Sequence, residues 1–138
     1  MEKPLDSFNL PAADLPTVDA YKAAFLATRA ALRSDKGRST VREILSAHYH
    51  APEHTITPWE LADHPNVALA SHSTVNMQYG KYAKALCQHF KLEPKFALAV
   101  LLTFSGGSPG EETVKWTMLP NVVSALEDLG WVKMVSND

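Results

Sequence analysis

The amino-acid sequence predicts a mainly helical domain of the α+β class, with a small antiparallel sheet in its second half. Several segments space their apolar residues as amphipathic helices do. After residue 95 the pattern changes to two strand-like runs around a glycine-rich turn. With 138 residues, of which 46% are hydrophobic, the chain is long enough to bury one core.

The first 37 residues divide into an arm and a helix. Residues 1–16 contain three prolines and no sustained period, which predicts an extended N-terminal arm. Thr17 is placed to cap a helix that ends before Gly37, so residues 17–37 are predicted as an N-terminal helix and loop. The main domain is expected over residues 38–135.

This main domain is predicted to open with a helix and a short strand. The capping box Thr40-Val41-Arg42-Glu43 starts a helix. Its inward residues are expected to be Val41, Ile44, Leu45 and Tyr49. The helix stops before Pro52, and His54-Thr55-Ile56 follows as a brief extended segment.

The next two helices have the sequence pattern of a helix-turn-helix. Thr57 can cap a short helix that begins at Pro58, and Glu60, three residues after the cap, completes a capping box. After a break at Pro65-Asn66, a long amphipathic helix is predicted from Ser73 to Lys91. Its two faces are expected to be an apolar one, with Val75, Tyr79, Tyr82, Ala83, Leu86 and Phe90, and a polar one, with Ser73, Met77, Gly80, Lys81, Lys84, Gln88 and Lys91.

A hairpin and a last helix complete the prediction. Residues 96–104 form an apolar run of strand length, Ser105 to Gly110 is a turn, and residues 113–118 alternate as a returning strand. Pro120 opens a helix that ends at Leu129, before a left-handed Gly130. The expected core around the helix-turn-helix joins Trp59, Leu61, Val75, Tyr79, Leu86, Phe90 and Trp116.

The order of these elements resembles the winged helix-turn-helix superfamily over residues 38–130. The segment Thr55-Ile56-Thr57-Pro58-Trp59-Glu60-Leu61-Ala62 looks like the strand-and-cap entry that these domains share. Residues 75–81, 119–120 and 129–132 are also similar to small bacterial reader-like domains that accompany HNH nucleases in modification-dependent defence systems. The resemblance implies a DNA-binding protein in transcription regulation or phage defence, with residues 73–91 as its reading helix and the hairpin as its wing. Glu111-Glu112 departs from a phosphate-gripping wing, which carries basic residues.

Charge and residue types on the long helix fit DNA contact. Residues 20–50 hold six basic and two acidic side chains, and residues 72–95 hold four basic and one acidic side chain. The whole chain, in contrast, carries a net charge of −2. Hydroxyls and amides at a helix start can hold phosphate, asparagine can pair with adenine, and an apolar group can rest on a pyrimidine methyl. The candidate double-stranded-DNA contacts are Ser71, His72, Ser73, Asn76, Met77, Gly80, Lys81, Lys84, Arg38 and Arg42.

A second function stays open from the sequence. The acidic hairpin turn and the net charge favour a non-catalytic protein-interaction module, such as a phage or defence accessory protein that keeps the winged-helix fold without binding DNA. The helix over residues 17–33 and the last helix also leave a homodimer open.

Enzyme, cofactor and metal chemistry are not expected. Ser105 to Gly110 has neither the setting of a nucleophile elbow nor the lysine of a phosphate loop. His48, His50, His54 and Asp63 lack a recognised zinc spacing and are predicted to be surface and cap residues. A lone Cys87, no signal-peptide pattern and no apolar run of 18 residues predict a cytoplasmic protein without membrane contact.

Overall fold

The structure, a computed structural model, describes residues 9–10, 12–29, 40–65, 67, 71–93, 97–106 and 114–132. It is mainly helical with a small antiparallel sheet, as the sequence predicts. The helices are α1 (Val18–Ala27), α2 (Thr40–His50), α3 (Pro58–Asp63), α4 (His72–Phe90) and α5 (Pro120–Leu129), and the strands are β1 (Thr55–Ile56), β2 (Leu102–Ser105) and β3 (Lys115–Met118). No helix within these residues is long and apolar enough to cross a membrane.

Helix boundaries follow local chemistry. The Thr17 hydroxyl accepts from the Ala20 amide at the start of α1, because the first amides of a helix have no partner inside it. The capping box at α3 forms as predicted: Thr57 accepts from the Glu60 amide, and the Glu60 carboxylate accepts from the Thr57 amide. α5 ends at Gly130, which adopts the left-handed conformation expected of it.

One core joins the N-terminal helix to the rest of the chain. α1 packs against α5 and α4, and its residues Tyr21, Ala24 and Phe25 are fully buried. The Tyr21 hydroxyl donates to the Val100 carbonyl oxygen at 2.6 Å, which satisfies a polar group that burial would otherwise penalise. Residues on both sides of position 38 therefore stabilise the same hydrophobic core.

The sheet has the order β1-β3-β2, with both neighbouring pairs antiparallel. Trp116 at the centre of β3 pairs with Ile56 of β1 and with Phe104 of β2. Trp116 and Phe104 are both buried. The short strand between α2 and α3 thus pairs with a strand 60 residues later. Residues 107–113, which include the predicted acidic turn residues Glu111-Glu112, lie outside the described residues.

The apolar run at residues 96–104 is only partly a strand. Ala97–Val100 forms a turn of 3-10 helix against α4, and the strand begins at Leu102. The prediction was wrong for the first half of the run because every residue from Leu98 to Leu102 is buried. A continuous apolar stretch has no period, so it cannot distinguish a strand from a helical turn.

Two described residues before α1, Asn9 and Pro16, make hydrogen bonds to the rest of the fold. The Asn9 side-chain oxygen accepts from the Phe104 amide at 2.9 Å, and the Asn121 side chain donates to the Pro16 carbonyl oxygen at 2.9 Å. Within the segment predicted to be extended, Ala12–Asp14 forms a 3-10 turn. Leu10 and Leu15 pack against the core, so this segment covers β2 and the start of α5.

Candidate nucleic-acid interface

The pair α3 and α4 forms the frame of the candidate site. The two helices pack against each other, with Leu61 and Ala62 of α3 buried between them and the core. Val67, in the connection, is also buried. The capping box fixes where α3 begins, so its apolar side faces α4.

Two of the predicted DNA contacts have roles in starting α4. The Ser71 hydroxyl is the N-cap and accepts from the Thr74 amide at 3.3 Å. The His72 ring stacks on Trp59 of α3, with ring centroids 4.3 Å apart and planes 22° from parallel. Ser73 is exposed and takes no part in this cap.

Trp59 is placed differently from the expectation. It is half-buried and packs on the margin of the core, whereas the sequence predicted it inside. Its ring covers the first turn of α4 through His72, because α3 is short and its N-terminal turn reaches the surface. Phe90 is also half-buried, because it lies in the last turn of α4, at the surface.

A buried histidine, His48, holds the inner face of α4, and its position differs from the prediction. His48 was predicted to lie on the surface at the end of α2, but it is fully buried. Its Nδ1 lies 2.9 Å from the Tyr79 hydroxyl of α4, and its Nε2 lies 2.9 Å from the Trp116 carbonyl oxygen of β3. One imidazole therefore connects α2, α4 and the central strand.

The chemistry of these partners determines the state of the ring. A carbonyl oxygen only accepts, so Nε2 carries the proton and donates to Trp116. Nδ1 of the neutral ring then accepts from the Tyr79 hydroxyl. Burial lowers the pKa of His48 to about 4, which keeps the ring neutral at physiological pH, and burial likewise raises the pKa of Tyr79.

The opposite side of α4 is solvent-exposed, and we call it the outer face. It comprises Ser73, Asn76, Met77, Gly80, Lys81, Lys84 and Gln88. The side chains of Asn76, Met77, Lys81 and Lys84 are all exposed, as the sequence predicted. Met77, with 59% of its surface accessible, is the more exposed of the two large hydrophobic side chains that the described residues leave open; Leu26 of α1 is the other.

Gly80 has no packing reason within the described part of the chain. A Cβ atom placed on it would meet no other heavy atom within 4 Å. Close packing of another helix of this chain against Gly80, one interpretation of a mid-helix glycine, is therefore not what the described residues show. The backbone of α4 is open to solvent at this turn.

The outer face is electropositive. Residues 72–91 include Lys81, Lys84 and Lys91 and no aspartate or glutamate. Among the described residues, the ion pair within 4 Å joins Lys22 of α1 to Asp128 of α5, 3.6 Å apart, and no lysine of α4 takes part in one. The lysine charges of α4 are thus not neutralised by described carboxylates.

The structure places Arg42, one of the two predicted arginines, away from the outer face. Arg38 lies outside the described residues. The Arg42 guanidinium lies 4.8 Å above the Trp131 ring, a cation–π contact. Trp131 contacts Phe25, which stacks on Tyr82 of the inner face, so Arg42 belongs to the side of the domain behind α4.

Three other candidate sites, for a metal ion, a reactive thiol and a small ligand, have weaker support. No group of three or more metal-ligating side chains occurs within the described residues. Cys87 is buried, and burial raises its pKa to about 11, so its thiol is protonated at neutral pH. A cleft of about 290 Å³ beside β1 is lined by Glu53, Glu60 and Lys115 among others, but the Glu60 carboxylate is engaged in the capping box.

Comparison of the chain with protein-family models, with curated proteins and with solved structures finds no match. The function of the outer face is therefore inferred from its own geometry and charge.

Proposed function

We propose that this protein binds double-stranded DNA through the outer face of α4, as a regulator or a defence-system reader with a winged helix-turn-helix fold. The observation that carries the proposal is an exposed helical face with lysines, no carboxylate and no packing partner within the described residues. Duplex DNA is a dense polyanion whose major groove accepts a helix, so it matches such a face in both charge and shape.

The order of the elements supports the winged-helix part of the proposal. α2, β1, α3, α4, β2, β3 and α5 follow one another as the resemblance implies, and β1 pairs with β3 of the hairpin. α4 is 19 residues long, which amounts to about 28 Å at 1.5 Å per residue and is enough to lie along a groove.

The proposal assigns a role to five side chains of the outer face. Lys81 and Lys84, one turn apart, contact phosphates and supply affinity. Asn76 and Met77, nearer the start of α4, contact base edges and supply sequence preference. Ser73 and the amides of the first turn of α4 bind a phosphate at the positive end of the helix.

The inner face supports binding by fixing α4 before DNA arrives. Tyr79, Tyr82 and Leu86 are buried, and Tyr79 is held by His48. The Tyr82 hydroxyl pairs with the Thr28 hydroxyl at 2.8 Å, which ties α4 to α1. A helix held at several points loses little conformational entropy on binding.

The test is a gel-shift or anisotropy titration of the full chain with mixed-sequence duplex DNA at several salt concentrations. We expect the logarithm of the affinity to fall linearly with the logarithm of the salt concentration. Changing both Lys81→Glu and Lys84→Glu should abolish binding at moderate salt and leave the melting temperature nearly unchanged, because exposed charges contribute little to stability.

A charge-matched comparison separates contact from net charge. Lys84→Glu and Lys22→Glu change the charge of the chain equally, but Lys22 lies on α1 beside Asp128. Only Lys84→Glu should weaken DNA binding strongly. If the double variant binds as the parent does, or if the parent binds no DNA at low salt, the proposal is wrong and a protein partner for this face becomes the better explanation.

A further inference from the structure

We infer that Met77 is a specificity-determining residue that contacts the 5-methyl group of a pyrimidine, thymine or 5-methylcytosine, in the major groove. This inference rests on the proposed function and names what the outer face of α4 reads. It follows from an exposed apolar side chain in the turn before the lysines of the same helical face.

The position of Met77 is the first observation. At about 100° per residue it lies nearly opposite Leu86, which is fully buried, so Met77 points directly away from the core. Its accessible fraction of 59% is unusual here, since most large hydrophobic side chains of the described residues are buried or packed on the core. A side chain this exposed contributes little to the hydrophobic core.

The neighbours of Met77 are the second observation. Residues three, four and seven positions away along a helix share its face, and here they are Gly80, Lys81 and Lys84. The methionine is thus a single apolar point beside two cations. A protein-docking surface would present a contiguous apolar patch, whereas groove DNA offers isolated methyl groups between phosphates.

Gly80 supplies the space that such a contact requires. Because nothing within the described residues lies within 4 Å of its Cβ position, the surface beside Met77 is recessed by one side chain. A base edge can approach the helix there without meeting a side chain from the next turn. The unbranched thioether of Met77 can adjust its rotamers to cover a methyl group.

The distances along the helix fit the same arrangement. Lys81 and Lys84 follow Met77 by about 6 Å and about 10 Å along the axis, at 1.5 Å per residue. These separations let the long lysine side chains reach phosphates that flank the contacted base pair. Both lysines are exposed on the same side as Met77.

The experiment begins with selection of the tightest duplexes from a random DNA pool by the full chain. The selected duplexes are then synthesised with uracil replacing thymine at one position at a time, which removes one methyl group and preserves base pairing. Burying one methyl group corresponds to about a fourfold change in Kd. We expect one or two positions at which uracil weakens binding by about that factor.

Variants of Met77 assign the effect to this side chain. Met77→Ala should bind thymine and uracil duplexes equally, with the affinity of the parent for uracil, and Met77→Leu should restore part of the preference. Leu26→Ala removes the other exposed hydrophobic side chain, on α1, and should keep the full preference. Methylating single cytosines of the same duplexes at carbon 5 distinguishes the two sources of the methyl group.

The outcomes separate this inference from the function on which it rests. Salt-dependent binding with equal affinity for thymine, uracil and 5-methylcytosine duplexes would overturn the role of Met77 and leave DNA binding standing. Retention of the preference by Met77→Ala would overturn it as well. Absence of any DNA binding by the parent at low salt would overturn both.

Discussion

The two faces of α4 differ in how completely the fold explains them. On the inner face, Tyr79 and Leu86 are fully buried and each polar atom of Tyr79 and Tyr82 has a partner. On the outer face, Met77 is exposed and Gly80 borders open space. The fold thus accounts for the residues of the inner face, and the residues of the outer face are the ones to which the proposed function assigns DNA contact.

Because the two faces differ in burial, substitutions in one helix can separate effects on stability from effects on binding. A substitution on the inner face should change the free energy of unfolding, and any loss of binding would follow from unfolding. A substitution on the outer face should leave the free energy of unfolding nearly constant, so its effect on binding can be interpreted directly.

The greatest difference in unfolding free energy is expected between Leu86→Ala and Met77→Ala. Removing the buried Leu86 side chain leaves a cavity and should cost about 2–5 kcal/mol of unfolding free energy. Removing the exposed Met77 side chain should change it by less than about 0.5 kcal/mol. Urea titrations of both variants measure this, and equal midpoints for the two would refute the assignment of the faces.

The inner face should also make stability depend on pH through His48. Burial lowers the pKa of His48 to about 4, so the unfolded chain, with a pKa near 6.5, takes up this proton first. Stability is therefore complete above about pH 6.5 and falls as the pH drops from there towards 4, by an amount on the order of 3 kcal/mol. Urea titrations at several pH values test this.

The control for the pH dependence is His48→Gln, whose amide can still donate to the Trp116 carbonyl oxygen but does not titrate. The fall in stability between pH 6.5 and 4 should be clearly shallower in this variant. An identical slope in parent and variant would show that other groups cause the acid sensitivity.

A smaller effect on the free energy of unfolding is expected at the start of α3, the helix that packs against α4. Thr57→Ala removes the N-cap hydroxyl and should cost about 1 kcal/mol. Thr57→Ser keeps the cap and should cost much less. Because the capping box includes none of the residues proposed to contact DNA bases, the preference of Thr57→Ala among DNA sequences should equal that of the parent.

The smallest effect, with the opposite sign, is expected at Gly80. A methyl group there meets no described atom, and alanine favours the helix, so Gly80→Ala should stabilise the protein by about 0.5–1 kcal/mol. Gly80→Leu should keep this stability but fill the recess and weaken DNA binding. A destabilised Gly80→Ala would indicate a packing neighbour for this turn.

Much of the frame of the site could be predicted from the sequence because short-range chemistry determines it. The capping box of Thr57 and Glu60 and the left-handed Gly130 depend on residues within one turn. The two faces of α4 follow from helical period alone, which placed Val75, Tyr79 and Leu86 inside and Lys81 and Lys84 outside.

The errors arose where contacts between distant segments decide. His48 bonds to residues 31 and 68 positions away, which no local pattern shows. A signal did exist, since His48 continues the apolar stripe of Val41, Ile44 and Leu45 at helical spacing. Weighting that period above the polarity of histidine would have placed it in the core.

The strand prediction for the first half of the run at residues 96–104 was wrong for a different reason. Leu98, Val100 and Leu101 are all buried, so the run has no polar positions that would reveal its period. Packing against α4, rather than local preference, selects the 3-10 conformation there.

The Asn9 side chain has a consequence for how this protein behaves at high concentration. β2 is an outer strand of the sheet, and an outer strand with unpaired amides is a template on which a second chain can add a strand. By accepting from the Phe104 amide, Asn9 occupies a position that such a strand would use. We therefore expect Asn9 to disfavour pairing of β2 with a strand of a second chain.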